Sequence, residues 1–280
     1  MQPYEVKTAD GISLHVQKWN QAEYNSSDSN DSNRTLLITH GLGEHQNRYT
    51  HVAAHFAADG FTVYSYDQRG HGKSGGPRGH SPSIDSNVED MKRVIESIPH
   101  ENLYLYCHSF GGNVLANFML KVDCATLRGA VMSSAWLKLY EEPSFIDVAL
   151  ATVMSFIYPK FSQNSKIDAS KLSNITQVCE DYVADPLNHE LITAGLFKSF
   201  HASGLWALAH ANELHTPVYV LHGADDQLIS PSGSREFAAE AGDFATLKIY
   251  PSTRHEPHND LVCDELLGDV SRWMKLHSAP

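Results

Sequence analysis

The segment LYLYCHSFGG, residues 103–112, decides the fold of this 280-residue chain. Its first half is a continuous apolar run typical of a buried strand, and residues 113–122 have the pattern of a helix. Ser109 stands at the junction, where a sharp strand-to-helix turn would expose its hydroxyl. Gly111 would let strand and helix approach closely, whereas Cys107 stands where glycine is usual in such turns. The segment therefore predicts a nucleophilic serine at the end of a central strand.

The acid expected to act with such a serine follows a later strand. Residues 217–221 are a continuous apolar run typical of a buried parallel strand, and Asp225 and Asp226 come shortly after it. A Gly-x-x-Asp spacing favours Asp226 as the acid, and Asp225 remains the alternative. Catalytic groups gather at the carboxyl ends of strands in open α/β sheets, so either carboxylate is expected near Ser109.

The base is expected after the strand predicted at residues 246–250. His255 is favoured over His258, which lies further towards the start of the predicted C-terminal helix. A serine hydroxyl is a poor nucleophile without an adjacent base, so His255 would accept the proton of Ser109. Asp226 would hold the imidazole in one tautomer and stabilise its protonated form. The chain order of serine, acid and histidine is that of the α/β-hydrolase fold.

An upstream segment is expected to complete the site. Residues 35–39 form a short apolar strand, followed by HGLGEH, whose glycines permit a sharp turn. An oxyanion hole needs two preorganised backbone amides near the reacting oxygen. The amides of Leu42 and of Phe110, the residue after the nucleophile, are the candidates.

These segments together resemble the monoacylglycerol lipase and lysophospholipase group of serine hydrolases. The resemblance is carried by HGLGEHQNR at residues 40–48, by residues 67–79 and 107–112, by DPL at 185–187, and by the later Gly-x-x-Asp and His-Glu segments. It covers roughly residues 10–275. The chain departs from the family at Cys107 and at Phe110, where glycine and methionine are more usual, so acyl preference is less defined than reaction class.

The resemblance implies the fold and the chemistry. Strands that alternate with helices predict a mostly parallel central sheet with helices on both faces. The implied α/β-hydrolase core comprises residues 1–135 and 211–280, with an inserted helical cap at 136–210, in one continuous domain. The implied reaction is the cleavage of single-chain acyl esters through an acyl-enzyme, with Ser109, Asp226 and His255 and without any cofactor. Leu42 and Phe110 would be the oxyanion donors.

The predicted cap contains a strongly apolar stretch. Residues 145–158 are nearly all apolar and lack the strand-and-turn pattern found elsewhere. We expect Phe145 and Ile146 to line the acyl site. We also expect the outer surface of the cap to make transient contact with lipid aggregates, as amphipathic surfaces do.

Composition excludes several classes of partner. A formal net charge of −12 argues against nucleic-acid binding. The N-terminal residues lack the pattern of a signal peptide, and no apolar run reaches the ~18 residues of a membrane-spanning helix. The four cysteines are scattered, and we expect reduced thiols in a cytoplasmic protein. No histidine, cysteine or carboxylate pattern has the spacing of a metal site, so no metal is expected.

Other functions stay open at this stage. A small-ester carboxylesterase or an aminopeptidase could use the same scaffold and the same residues. A non-catalytic binding protein is less consistent with the sequence, because it would need neither the serine nor its partners. The polar residues 20–33 are expected to form a surface loop.

Overall fold

Strands and helices alternate along the chain in the computed structural model, which describes residues 2–19, 34–165 and 167–277. The polar segment 20–33 lies outside the described residues. The strands are β1 (Gln2–Lys7), β2 (Ser13–Trp19), β3 (Thr35–Thr39), β4 (Thr62–Tyr66), β5 (Leu103–His108), β6 (Leu127–Ser133), β7 (Ser162–Asn164), β8 (Leu191–Thr193), β9 (Val218–Gly223) and β10 (Ala245–Tyr250). The helices are α1 (Thr50–Ala58), α2 (Ile84–Glu96), α3 (Phe110–Lys121), α4 (Phe145–Ile157), α5 (Thr176–Ala184), α6 (Ala194–Ala209), α7 (Pro231–Ala241) and α8 (Cys263–Leu276).

Eight of these strands form one sheet, in the order β1-β2-β4-β3-β5-β6-β9-β10. The pairs from β4 to β10 are all parallel, and only β2 runs against both of its neighbours. The hairpin of β1 and β2 turns at Gly11, whose φ of +86° suits glycine. The short strands β7 and β8 form a separate antiparallel pair. The predicted fold class, a mostly parallel sheet between helices, is confirmed.

The two faces of the sheet bury two apolar clusters. Along β5, Leu105 and Cys107 pack in the cluster that contains side chains of α2, α3, α6 and α7. Tyr104 and Tyr106 point the other way, into the cluster formed with α1 and α8. A strand with helices on both faces is apolar on both faces, which explains the continuous apolar run at residues 103–106. The end of β5 therefore lies in the middle of the molecule.

The segment at 136–210, predicted to be an inserted cap, contains elements that pack differently. Helix α4 has no buried residue. Helix α6, in contrast, buries Leu196 and Phe200 in the core cluster beside α3. Between them, the backbone amides of His189 and Thr193 donate to the carbonyl oxygens of Gly43 and Gly79, at 2.9 and 3.0 Å. The segment is thus tied to the sheet through its second half, and α4 is its most exposed helix.

Candidate active site

Ser109 lies at the tip of the turn between β5 and α3. Its φ of +49° is uncommon for a residue other than glycine and costs about 1–3 kcal/mol. Hydrogen bonds hold the turn: the Ser109 amide donates to Ser133 O at 2.9 Å, and Ser109 O accepts from the amide of Trp136 at 2.9 Å. At Gly111 a Cβ atom would lie 2.7 Å from the carbonyl oxygens of Thr39 and His40, at the end of β3, so only glycine fits. The surroundings therefore impose the strained backbone that presents the Ser109 hydroxyl.

Cys107 fits within this turn although glycine is more usual at its position. Its side chain is fully buried on the core side of β5. Burial raises the pKa of its thiol to about 12, so the thiol stays protonated near neutral pH. Cys107 is therefore a core residue and does not compete with Ser109 as a nucleophile.

The structure brings His255 and Asp226 to Ser109. His255 Nε2 lies 3.0 Å from Ser109 Oγ, and His255 Nδ1 lies 2.7 Å from Asp226 Oδ2. Asp226 is buried in the loop after β9, whereas Asp225 is exposed and contributes its amide to Thr253 O at 2.9 Å. Of the two acids left open by the sequence, Asp226 is the one in contact with the imidazole.

His258, the alternative base, lies behind the site. Its ring is fully buried, stacks on Tyr49 at 4.6 Å between centroids, and meets His108 edge to face at 4.7 Å. Burial lowers its pKa well below the usual range of an imidazole. His258 therefore packs as a neutral aromatic side chain behind the residues that face Ser109.

His255 and Asp226 both have pKa values shifted in the direction that favours their charged forms. Burial disfavours protonation of His255, but the Asp226 carboxylate outweighs burial and raises the His255 pKa. Burial also opposes ionisation of Asp226, and His255 and further hydrogen bonds overcome it, so that the Asp226 pKa falls below its usual range. At neighbouring His108, burial and the repulsion of His255 lower the pKa to about 3. Of the three neighbouring histidines His108, His255 and His258, only His255 thus has a raised pKa.

The two residues predicted to be oxyanion donors lie where the sequence places them. Leu42 is in the loop after β3, and Phe110 directly follows Ser109. Leu42 lines the cavity above Ser109, and Phe110 is the first residue of α3. Within the described residues, neither backbone amide has a hydrogen-bond acceptor. The amide of Gly41, one residue earlier, donates to Glu44 Oε1 at 2.6 Å, which fixes the course of the loop.

A buried ionic network, absent from the sequence-based prediction, joins the loops of the site. Arg48 donates to Glu44 at 2.6 Å and to both oxygens of Glu256 at 2.6 and 2.7 Å. Its guanidinium also lies 4.9 Å from the ring of Tyr182 in α5. Glu44 accepts from the Gly41 amide in the loop after β3 and Glu256 follows His255, so Arg48 links the two loops. Glu44 and Arg48 are four residues apart in the segment that resembles the lipases. From that spacing, the contact between them could have been predicted.

A cavity of about 510 Å³ opens above Ser109. Most of the side chains that enclose it are apolar, among them Leu42, Trp136, Leu150, Met154, Phe197 and Leu228. Charged groups line it at several points, namely Glu44, Glu141, Asp147, Lys171 and Glu256. Its volume is typical of a site for one small ligand.

The prediction that Phe145 and Ile146 line this cavity is wrong. They are 87% and 75% exposed, respectively, at the start of α4. The cavity is lined instead by Leu150, Ala151 and Met154. Leu150, Ala151 and Met154 are three or four residues apart and share one face of the helix, and Phe145 falls on the opposite face. Ile146 lies in the exposed first turn of α4 and does not line the cavity either. Helix α4 therefore carries apolar side chains both towards the cavity and towards solvent.

The sheet topology, the strained serine turn and the order Ser109, Asp226, His255 define an α/β-hydrolase. The family model described as "Serine aminopeptidase, S33" (Hydrolase_4) matches residues 30–262. The chain belongs to this family.

Relatives and solved structures agree with this assignment. A monoacylglycerol lipase of Mycolicibacterium smegmatis is 31% identical over 253 residues, which cover 88% of this chain and 90% of that protein. An uncharacterized abhydrolase domain-containing protein of Dictyostelium discoideum is 30% identical over 247 residues, but the match spans only 26% of its length. The crystal structure of a Paleococcus ferrophilus monoacylglycerol lipase superposes with a TM-score of 0.84 at 29% identity, covering 99% of this chain and 100% of that one. The predicted resemblance to this group of α/β-hydrolases is confirmed.

Among the helices that the structure describes, none has both the length and the apolar character needed to cross a membrane.

Proposed function

We propose that this chain hydrolyses carboxylic esters of single-chain acyl lipids, of the monoacylglycerol or lysophospholipid type, through an acyl-enzyme. One observation carries the proposal: Ser109 Oγ lies 3.0 Å from His255 Nε2 and faces a largely apolar cavity of about 510 Å³. The names of the relatives from Mycolicibacterium smegmatis and Paleococcus ferrophilus support the same substrate class.

In the first half-reaction, Ser109 Oγ attacks the ester carbonyl carbon while His255 Nε2 takes the hydroxyl proton. The carbonyl oxygen becomes an oxyanion, which the amides of Leu42 and Phe110 stabilise. Asp226 stabilises the imidazolium of His255. When the tetrahedral intermediate collapses, His255 returns the proton to the departing alcohol, and the acyl group stays on Ser109.

The second half-reaction repeats these steps with water. His255 takes a proton from water, the hydroxide attacks the acyl-enzyme, and His255 gives the proton back to Ser109 Oγ. The products are a free fatty acid and the regenerated serine. The protein supplies every proton transfer and charge from its own side chains and amides, so we expect turnover to be insensitive to chelators.

We further propose that the elements from α4 to β8 act as the cap over the acyl site. This proposal is supported by the contrast between α4, which has no buried residue and lines the cavity, and α6, which packs in the core. The exposed face of α4 carries Phe145, Ile146, Phe156 and Ile157. An apolar face of this kind is suited to transient contact with lipid aggregates.

We also propose a cytoplasmic location. Support comes from the four cysteines, each of which is a free thiol in the structure, as is usual in reducing compartments. Fractionation of cells that express the tagged full-length protein tests this.

A fluorophosphonate probe and a substrate panel test the main proposal. We expect the probe to label the wild type and not Ser109→Ala, whose turnover falls by about 10⁴-fold or more. The panel compares 1- and 2-monoacylglycerols, lysophospholipids, short aryl esters and aminoacyl amides. Preference for acetyl esters would replace the proposal with a small-ester carboxylesterase, and preference for aminoacyl amides with an aminopeptidase. A wild type that resists both probe and substrates would indicate a binding protein.

A further inference from the structure

Asp226 has a second imidazole partner that the mechanism above does not use. Its Oδ2 atom, which accepts from His255 at 2.7 Å, also lies 2.9 Å from His222 Nε2. His222 belongs to β9 and is fully buried, and it does not line the cavity. The same carboxylate oxygen thus lies between two histidines.

The hydrogen-bond partners of His222 fix its orientation. Nε2 faces two acceptors, Asp226 Oδ2 and Ile229 O, at 2.9 and 3.2 Å. Neither acceptor can donate, so Nε2 carries a proton and is the donor. On the other side of the ring, Nδ1 lies 2.7 Å from the hydroxyl oxygen of Ser234 in α7. A neutral ring would accept the hydroxyl proton there.

The result is a symmetric chain of hydrogen bonds about one carboxylate, in the order Ser109, His255, Asp226, His222, Ser234. Only the Ser109 end of this hydrogen-bond chain lines the cavity, because Ser234 is fully buried. The other oxygen, Oδ1, accepts from the amides of Leu228 and Ile229 at 2.8 and 2.9 Å. All four contacts hold Asp226, but only His222 shares the oxygen that contacts His255.

The geometry points to His222 as a positioning residue that sets the basicity of His255 by sharing Asp226 Oδ2. A hydrogen bond donated to a carboxylate oxygen draws off part of its negative charge. Asp226 then stabilises the imidazolium of His255 less than it would alone. Without His222, the His255 pKa would rise, and Asp226 Oδ2 would lose one of its hydrogen-bond donors. This role rests on the proposed function, in which His255 is the base.

Other groups also act on His255 and must be held constant in a test. The titratable and charged groups around it are Asp226, His108, His258, Glu44 and Glu256. A comparison of variants that differ only at His222 leaves all five in place.

The decisive measurement is the pH profile of kcat/KM for a soluble aryl ester, together with that of the rate of fluorophosphonate labelling. We expect His222→Leu, which has no donor, to lower kcat about ten- to a hundredfold with little change in KM. The acidic limb of the kcat/KM profile of His222→Leu should move to higher pH by about half a unit or more. The loss of activity relative to the wild type should therefore be greater at pH 6 than at pH 8. His222→Gln places an amide donor near Asp226 Oδ2 and should return the limb to the wild-type position.

Ser234→Ala keeps the imidazole but removes its buried partner, and it serves if His222→Leu does not fold. We expect a smaller shift of the limb in the same direction. The inference would be overturned if the acidic limb of the kcat/KM profile does not move in a folded His222→Leu protein. If His222→Leu does not fold, the same test applies to Ser234→Ala. A His222→Gln limb displaced as far as that of His222→Leu would also overturn the inference. A wild type that neither hydrolyses esters nor reacts with the probe would overturn the proposed function itself, and this role with it.

Discussion

At the level of single residues, two adjacent carboxylates have opposite environments. Asp226 is 1% exposed and accepts from the imidazole of His255, whereas Asp225 is exposed and donates its backbone amide to Thr253 O. The alternation of direction along the loop after β9 separates the two side chains, although the residues are neighbours in sequence. The pair provides a matched test in which composition and net charge change equally.

Asp226→Asn should reduce kcat by about 10⁴-fold while the fold is kept, because an amide facing Nδ1 favours the wrong tautomer of His255. Asp225→Asn should stay within about twofold of the wild type, as exposed substitutions usually do. Steady-state kinetics on one ester and circular dichroism of both variants provide the measurement. Equal losses in the two variants would contradict the assignment of Asp226.

The pH dependence of catalysis should reflect His255. The base must be neutral to accept a proton, and Asp226 raises its pKa above the usual 6.5 despite the opposing effect of burial. We therefore expect kcat/KM to rise with pH, with a midpoint above 6.5, and to be lost as the pH falls through that midpoint. A pH profile on an uncharged ester measures this, and a midpoint below 6 would be inconsistent with the structure.

At the level of elements, α4 presents apolar side chains in two directions. Leu150 and Met154 point into the cavity, while Phe145 and Ile146 face solvent. The exposed apolar face has no counterpart among the other helices of the described chain, whose apolar residues are mostly buried in the two clusters. Substitutions on the two faces should therefore have different consequences.

The double variant Leu150→Ala, Met154→Ala should weaken the preference for long acyl chains. A buried CH₂ contributes about 0.8 kcal/mol, so each methylene that loses its contact lowers kcat/KM up to ~4-fold. Hydrolysis of a series of esters with increasing chain length measures the effect. The same loss at every chain length would mean that these two side chains do not contact the acyl group.

The double variant Phe145→Ala, Ile146→Ala is the matched control at the exposed start of the same helix. It should leave the chain-length series of soluble esters unchanged and reduce sedimentation of the protein with phosphatidylcholine vesicles. Unaltered vesicle binding would show that this face does not contact lipid.

At the level of the whole molecule, Arg48 connects parts of the chain that are far apart in sequence. It joins Glu44 after β3 to Glu256 before α8, a separation of more than 200 residues for the second pair, and it contacts Tyr182 in α5. The three charged side chains are nearly excluded from solvent. Removal of one partner of a buried ion pair leaves the other charges uncompensated, which is strongly destabilising.

Arg48→Met should lower the free energy of unfolding by about 3–5 kcal/mol at pH 7. Lys138→Met, which removes the partner of Glu236 in a partly exposed ion pair, should cost no more than about 1 kcal/mol. Burial raises the pKa of Glu44, but Arg48 outweighs burial and lowers it from the usual 4.5 to about 2. This stabilisation is present above pH 4.5 and is lost as the pH falls towards 2. Urea unfolding at pH 7 and pH 3.5 should show the difference between wild type and Arg48→Met narrowing, and a constant difference would contradict the pairing.

The central strands, the serine turn and the chain order of serine, acid and histidine could be predicted from the amino-acid sequence. These features depend on local properties: apolar runs that suit buried strands, and glycines that permit close approach at Gly111. The chain order of Ser109, an acid and a histidine then followed from the topology of the fold. Local patterns are sufficient here because the central strands β3, β5 and β9 are buried along their whole length.

Which of two neighbouring side chains faces the site became clear from the folded structure. The selection of Asp226 over Asp225 and the side of α4 that lines the cavity depend on side-chain directions, and a shift of one residue turns a side chain away from the site. The network of Arg48 and the contact of His222 with Asp226 join atoms whose approach is set by packing around β5 and β9. The contact of Arg48 with Glu256 spans 208 residues and has no local pattern, because its geometry is a property of the folded sheet and its loops.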